Sequence, residues 1–425
     1  MSVTLIYVLC IDLWQLLNIT KTVRNSMNLD PILDRHIDAI QNRLTNVKFS
    51  FFGIAGETLR TIYTTPHDQL PSLLYSGKVG EMTSADLHRI KVELSRIHRQ
   101  NVRELYELFN DLTAEVYSEG QDMGKAKGVT IATKKEYRQA VNPLLEQIRN
   151  NYAILGMSTI QNTERQYRDT INKFAGQLLS DTNMETYPSI MRSAIRELTE
   201  NGISTVSYKS GRNVRMDTAV RNSLMSEYTN VIKGVQTKLA EDIGTDGWEI
   251  SAHIAPADDH ADIQGAVFEN SEYEKLQNHE PAVDIDGVTH HLEKRAIGEF
   301  NCMHIAFPFM IGVSERAYSQ EDIDRIEANN ERGVTFRGEH LTLYESTQLQ
   351  RQLETSMRYE RERNNLLKEV RDIPEFQKDY QRSRARLAGL RNEYKELGEV
   401  IRPAALRSKM ERSYVPRGST GSARL

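Results

Sequence analysis

Residues 202–216 read GISTVSYKSGRNVRM, and here the periodicity of the chain changes. Upstream, apolar residues recur every three or four positions, which marks amphipathic helices. In ISTVSY (203–208) they alternate with polar residues, Lys209–Arg212 supplies a turn, and NVRM (213–216) can return as the second strand of a hairpin. A mainly α fold with a small α+β domain is therefore expected, and the switch falls at about residue 201.

Working back from the switch, residues 27–200 read as an N-terminal helical bundle. Asp30-Pro31 is a helix start, a cap followed by proline at the first helical position. Leu33, Ile37, Ile40, Leu44 and Val47 then share a face. A Pro/Gly-containing stretch at 66–80 breaks the pattern, and Thr83 to Asp86 offers a capping-box variant before the next helix. Its stripe of Leu87, Ile90, Leu94, Ile97, Leu105, Leu108 and Leu112, interrupted by Asn101, is a bundle seam and not a cofactor box. Further helices are expected over Lys134–Leu155, Ser158–Leu179 and Ser189–Glu200. Residues 1–26 stand apart as an extension of open status. The apolar run 3–19 falls short of the ~20 residues that span a bilayer. It carries Asp12, Gln15 and Asn18 and lacks the flanks of a signal peptide, so no membrane span is expected.

Working forward, residues 201–343 read as a central α+β hub with β-hairpins. Asp217 can cap a helix to about Asp242, WEISAHIA (248–255) alternates, and hairpins are expected around Asp286-Gly287 and within VTFRGEHLTLY (334–344). Residues 344–412 read as long C-terminal helices. Leu349, Leu353 and Met357 share one face, while Leu387, Leu390, Tyr394, Leu397 and Ile401 form a seam too short for a free coiled coil. These helices are expected to pack on another domain or subunit. Residues 413–425 have the composition of a disordered tail.

At 425 residues the chain is too long for one hydrophobic core. Its 39% hydrophobic and 27% charged content fits long, partly exposed helices better than a compact enzyme. The net charge of −5 is unevenly spread: residues 341–425 hold 18 basic and 12 acidic side chains, a net of +6. A basic C-terminal region on an acidic body is either a solvated helix face or a contact for an acidic neighbour or DNA phosphate. Cys10 and Cys302 make no disulfide framework, as expected of a protein made in a reducing cytoplasm.

The densest polar cluster is HIAPADDHADIQG (253–265), followed by Cys302 and His304. His260, Asp262, Cys302 and His304 could together hold a zinc ion contributed by two loops. No CxxC pair or HExxH demands it, and the competing reading has the two histidines bracing the loops by hydrogen bonds. A His-Asn-His nuclease built on His290, His291, Asn301 and His304 is excluded, because Phe-Pro-Phe follows where that motif needs a helix. Arg212 and Arg221, with Tyr208 and Arg215, could bind an anion or bridge strand and helix. No phosphate-cradling loop, nucleophile elbow or kinase signature is present.

Four segments in order carry a family resemblance. They are Tyr208-Lys-Ser-Gly-Arg212 with Arg221; Asp259-His-Ala-Asp-x-Gln264-Gly265; Asn301-Cys302-x-His304 leading into Phe307-Pro308-Phe309; and Tyr344-Glu345-x-x-Gln348 leading into Arg351 and Arg358. Together they resemble the phage minor capsid protein 2 family, related to the Mu-type head morphogenesis proteins of tailed phages. The chain departs from that pattern at Pro256–Asp259, at Ile263 and at Met303. The resemblance implies a virion protein of low copy number at the portal vertex, taking part in head assembly in the host bacterial cytoplasm, with portal and capsid proteins as partners; the residues themselves offer no complete catalytic set. A metal-dependent hydrolase or effector delivered with phage DNA is the alternative, and it rests on the four metal-ligand candidates alone.

Overall fold

The computed structural model describes residues 30–75, 78–181, 183–200, 205–207, 213–279, 282–285, 288–291, 295–299, 302 and 304–401. The expectations for residues 1–26, Arg212, Asn301 and 413–425 lie outside them. The architecture is mainly helical with small antiparallel sheets, as the periodicity predicts.

Three helices frame the first part: α1 (Asp30–Thr64), α3 (Lys78–Lys127) and α4 (Lys134–Ser180), with short α2 (Leu70–Tyr75) in the break after α1. On α1, Ile40, Leu44, Phe51, Ala55, Leu59 and Ile62 are buried at helical spacing. On α3, the whole seam from Leu87 to Leu112 is buried, and so is Asn101, which accepts from Arg43 Nε of α1 at 2.8 Å. A polar side chain in the seam is thus satisfied across the interface and fixes its register.

Two boundaries differ from expectation. Helix α3 has no cap at Thr83; it starts five residues earlier, at Lys78, and spans 50 residues, about 75 Å. Asp86 serves a buried triad instead, accepting from Thr58 of α1 (2.9 Å) and from the Tyr167 hydroxyl of α4 (3.2 Å). Helix α4 runs unbroken through the expected gap at 155–158 and tolerates Pro143 inside it. Packing along its length outweighs the ~1 kcal/mol that Gly156 costs. Its start is closed by a Thr133–Glu136 capping box.

Helix α5 (Tyr187–Glu200) and the hairpin β1 (Thr205–Ser207) and β2 (Asn213–Arg215) lead into α6 (Met216–Ile243). Helix α6 packs on α3 and α4 and carries the hub. The hub's sheet has the antiparallel order β4-β3-β7, with β3 (Gly247–Ile250) central, β4 (Val267–Glu269) and β7 (Ala306–Phe309). The strand β7 has no alternating pattern in the sequence, and Pro308 cannot donate to a ladder. It is tolerated since β7 is an edge strand, with Pro308 opposite Trp248. All four residues of β7 are buried. Ile250, Ile263, Phe268, Tyr273, Leu276 and Ile297 make the hub core, and Trp248 stacks on Tyr273 at 5.0 Å. Helices α7 (Asn270–Gln277) and α8 (Gln320–Arg332) and hairpins β5–β6 (Ala282–Ile285, Val288–His291) and β8–β9 (Val334–Phe336, Glu339–Leu341) complete it.

The C-terminal helices α9 (Leu343–Glu369) and α10 (Pro374–Ile401) pack first on each other. Leu353 and Met357 meet Leu387, Tyr394, Leu397 and Ile401, and the Tyr394 hydroxyl donates to Glu354 at 2.7 Å. The other face of the pair closes on α1, where Leu366, Leu367, Val370 and Phe376 join the bundle core. The seam predicted to seek another domain or subunit is therefore satisfied within the chain. No described helix is long and apolar enough to cross a membrane.

Candidate metal centre

Two loops of the hub converge at the end of its sheet. Strand β3 ends at Ile250, and the backbone stays tethered beyond it: Ser251 N–H donates to Ile305 O (2.8 Å) and Gly265 N–H donates to Ile250 O (3.1 Å). These bonds hold the polar 253–265 segment as a loop whose two ends lie together. Gly265 closes it in a left-handed conformation (φ 66°), where an added Cβ would stand 2.6 Å from Ile323. The second loop turns through Ala296–Glu299, and Cys302 N–H donates to Glu299 O at 2.7 Å. Within it Gly298 (φ 85°) lies so close to α6 that a Cβ would fall 2.3 Å from Thr229. His304 then leads into β7.

The loops bring together three of the four expected ligands. His260, Cys302 and His304 are 1%, 4% and 2% exposed, and their donor atoms all lie within 4.8 Å of one another. Cys302 Sγ is 3.3 Å from His260 Nδ1 and 3.6 Å from His304 Nδ1. Asp262 is not brought to them; it is exposed on the short turn Ala261–Ile263 and is no member of the cluster.

Both imidazoles are oriented from behind. His260 Nε2 lies 2.7 Å from the Arg295 carbonyl, which only accepts, so in the neutral imidazole Nε2 carries the hydrogen and Nδ1 keeps its lone pair. His304 Nε2 lies 3.2 Å from Gln264 Oε1. That oxygen also accepts from the His253 N–H at 2.8 Å, which fixes the amide's orientation and makes His304 Nε2 a donor too. His253 backs the site with its ring 4.3 Å from that of His304. Each histidine therefore turns an unprotonated Nδ1 toward the same sulfur.

Burial sets the protonation states. It holds the His304 imidazole well below its ordinary range, and the neighbouring His253, His260 and Arg295 add to the effect. Burial also pushes the Cys302 thiol up, opposed by the backbone N–H groups of Gly298 and His304 that face it. Hydrogen bonds from Arg295 hold the Asp259 carboxyl below its ordinary value; the two side chains form a bidentate pair at 2.6 and 2.7 Å.

The trio borders a cleft of about 450 Å³ whose other walls include His253, Asp258, Asp259, Arg295, Tyr344 and Arg351. Three of the four sequence segments thus meet at one place: the 259–265 loop, the 302–309 segment, and the start of α9. Gln264 positions His304, Gly265 closes the loop, and Pro308 pairs in the sheet below. Arg221 lies in α6, away from these loops in sequence, with its backbone alone described. Arg295 was missed by sequence reasoning. A single cation 36 residues from its partner Asp259 leaves no local pattern to find.

Neither the curated proteins nor the solved structures contain a match to this chain. The family model described as phage minor capsid protein 2 matches residues 82–397, which takes in α3, the hub with its Cys-His cluster, and nearly all of the C-terminal helix pair. The chain belongs to the phage minor capsid protein 2 family and is a component of the virion.

Proposed function

We propose that this chain is a minor head protein of the portal vertex, acting in head assembly as a rigid structural piece. The observation that carries the reading is the family match across 82–397, which includes both the long helices and the hub. The packing supports it. Arg60 with Asp372 (2.6 Å) and Lys48 with Glu362 (3.7 Å) join the bundle to the C-terminal pair, and Ile305 and Met310 of the hub pack against the bundle core. The partners are the portal and capsid proteins, met during assembly in the host bacterial cytoplasm. The net +6 of residues 341–425 also suits an acidic partner surface or packaged DNA.

Full-length protein should co-purify with portal protein when the two are co-expressed, and should be found in purified heads. Its presence in lysates but not in heads would contradict the reading. DNA contact by the basic region predicts binding that weakens steeply as salt rises; binding that ignores salt, or no binding, would remove that part.

The hydrolase alternative draws on the cleft beside the Cys-His cluster. Asp259, whose carboxylate stands 4.0 Å from His260 Nε2, is engaged by Arg295, which disfavours it as a general base.

A further inference from the structure

We propose that His260 Nδ1, Cys302 Sγ and His304 Nδ1 bind one zinc ion, with a water molecule from the cleft in the fourth position. The site clips together the two loops that close the hub. It is independent of the portal reading, which would survive its failure.

Distance is the first argument. Zinc–sulfur bonds of about 2.3 Å and zinc–nitrogen bonds of about 2.0–2.1 Å at a tetrahedral angle put sulfur and nitrogen roughly 3.5 Å apart. The two sulfur–nitrogen separations here are 3.3 and 3.6 Å, one on each side of that value. Both sulfur–nitrogen separations thus suit a tetrahedral ion, and all three ligand atoms lie within 4.8 Å of one another.

Hydrogen counting is the second. Both Nδ1 atoms present lone pairs to Cys302 Sγ, because both Nε2 hydrogens are committed to carbonyl oxygens behind. A thiol has one hydrogen and can serve only one of two facing acceptors. A cation serves both and the sulfur as well. On binding, the thiol gives up its proton to solvent, a sulfur–zinc bond forms, and the two imidazoles bind in their neutral form.

The surroundings are the third. Metal-binding histidines donate their second N–H to a carbonyl or carboxylate, as His260 does to Arg295 and His304 to Gln264. One thiolate with two imidazoles favours zinc over magnesium or calcium, which take oxygen donors. Exposed Asp262 has no part in the site.

The test uses the full chain, loaded with zinc and freed of excess, and measures bound metal by elemental analysis. Stoichiometric zinc that a chelator strips, with a fall in the melting temperature, is the expected result. Cobalt(II) in place of zinc should give the visible bands of a tetrahedral ion and a thiolate-to-cobalt charge-transfer band in the near ultraviolet. Asp262→Asn should retain full zinc, while Cys302→Ser should lose the charge-transfer band. Substoichiometric zinc after loading, a melting temperature indifferent to chelator, or six-coordinate cobalt without the thiolate band would each overturn the proposal. The wild-type cobalt spectrum decides the matter even where a variant fails to fold.

Discussion

Gln264 shows how much one side chain carries. Its oxygen accepts from the His253 N–H and from His304 Nε2, so it fixes one loop and one imidazole at once. Replacing it by leucine leaves two buried donors without an acceptor. Gln264→Leu should therefore cost about 2–3 kcal/mol in urea unfolding; a loss within experimental error would show that neither bond is made. At this scale the sequence was informative about residue type. Cysteine is scarce in this chain, and its company with histidines in two loops singled out His260, Cys302 and His304. It was not informative about direction. Asp262 lies two residues from His260, yet the turn at Ala261–Ile263 leaves it facing solvent. Spacing in a loop does not say which way a side chain points, whereas spacing in a helix does.

Among the elements, hairpins and seams were readable because each is set locally. The Arg337-Gly338 turn, with both residues at positive φ, suits a two-residue hairpin, and the Leu87–Leu112 stripe is buried as the 3.6-residue period requires. Element ends were less readable. A real capping box, Ser319 with Asp322 at the start of α8, stood in the sequence unnoticed, while the one expected at Thr83 lies inside a longer helix. The joint between α3 and α4 depends on a distant residue, Asp242 of α6, which accepts from the Ala132 N–H at 2.9 Å and pairs with Lys238. Burial pushes the Asp242 carboxyl up, but Lys238 and the Ala132 N–H outweigh it and hold the group below its ordinary value. A depressed carboxylate contributes stability that is fully present above its unfolded pKa of about 3.9 and is lost as pH falls through the folded value. Asp242→Asn should thus cost about 2 kcal/mol near neutral pH. The gap between wild type and variant should close as the pH drops below about 4. Denaturant titrations at the two pH values check this, and a gap that stays constant would assign the loss to packing instead.

For the whole molecule, Phe376 joins parts far apart in sequence. It is fully buried at the start of α10, with the Tyr63 ring of α1 edge-on at 5.2 Å and the Arg192 guanidinium of α5 over its face at 5.5 Å. Phe376→Ala should cost about 3–5 kcal/mol, and hydrogen exchange should speed up in α1 and α5 as well as α10. Exchange confined to α10 would show that the C-terminal pair folds apart from the bundle. Such long-range closure has no signature in a local pattern, which is why the C-terminal seam looked unpaired in the sequence. The central claim is that this frame is built into the head at the portal vertex. An asymmetric reconstruction of the virion tests it most directly. The account predicts density at that vertex fitted by the 50-residue helix α3 beside the packed α9–α10 pair. Heads that contain the portal protein but show no such density there would contradict it.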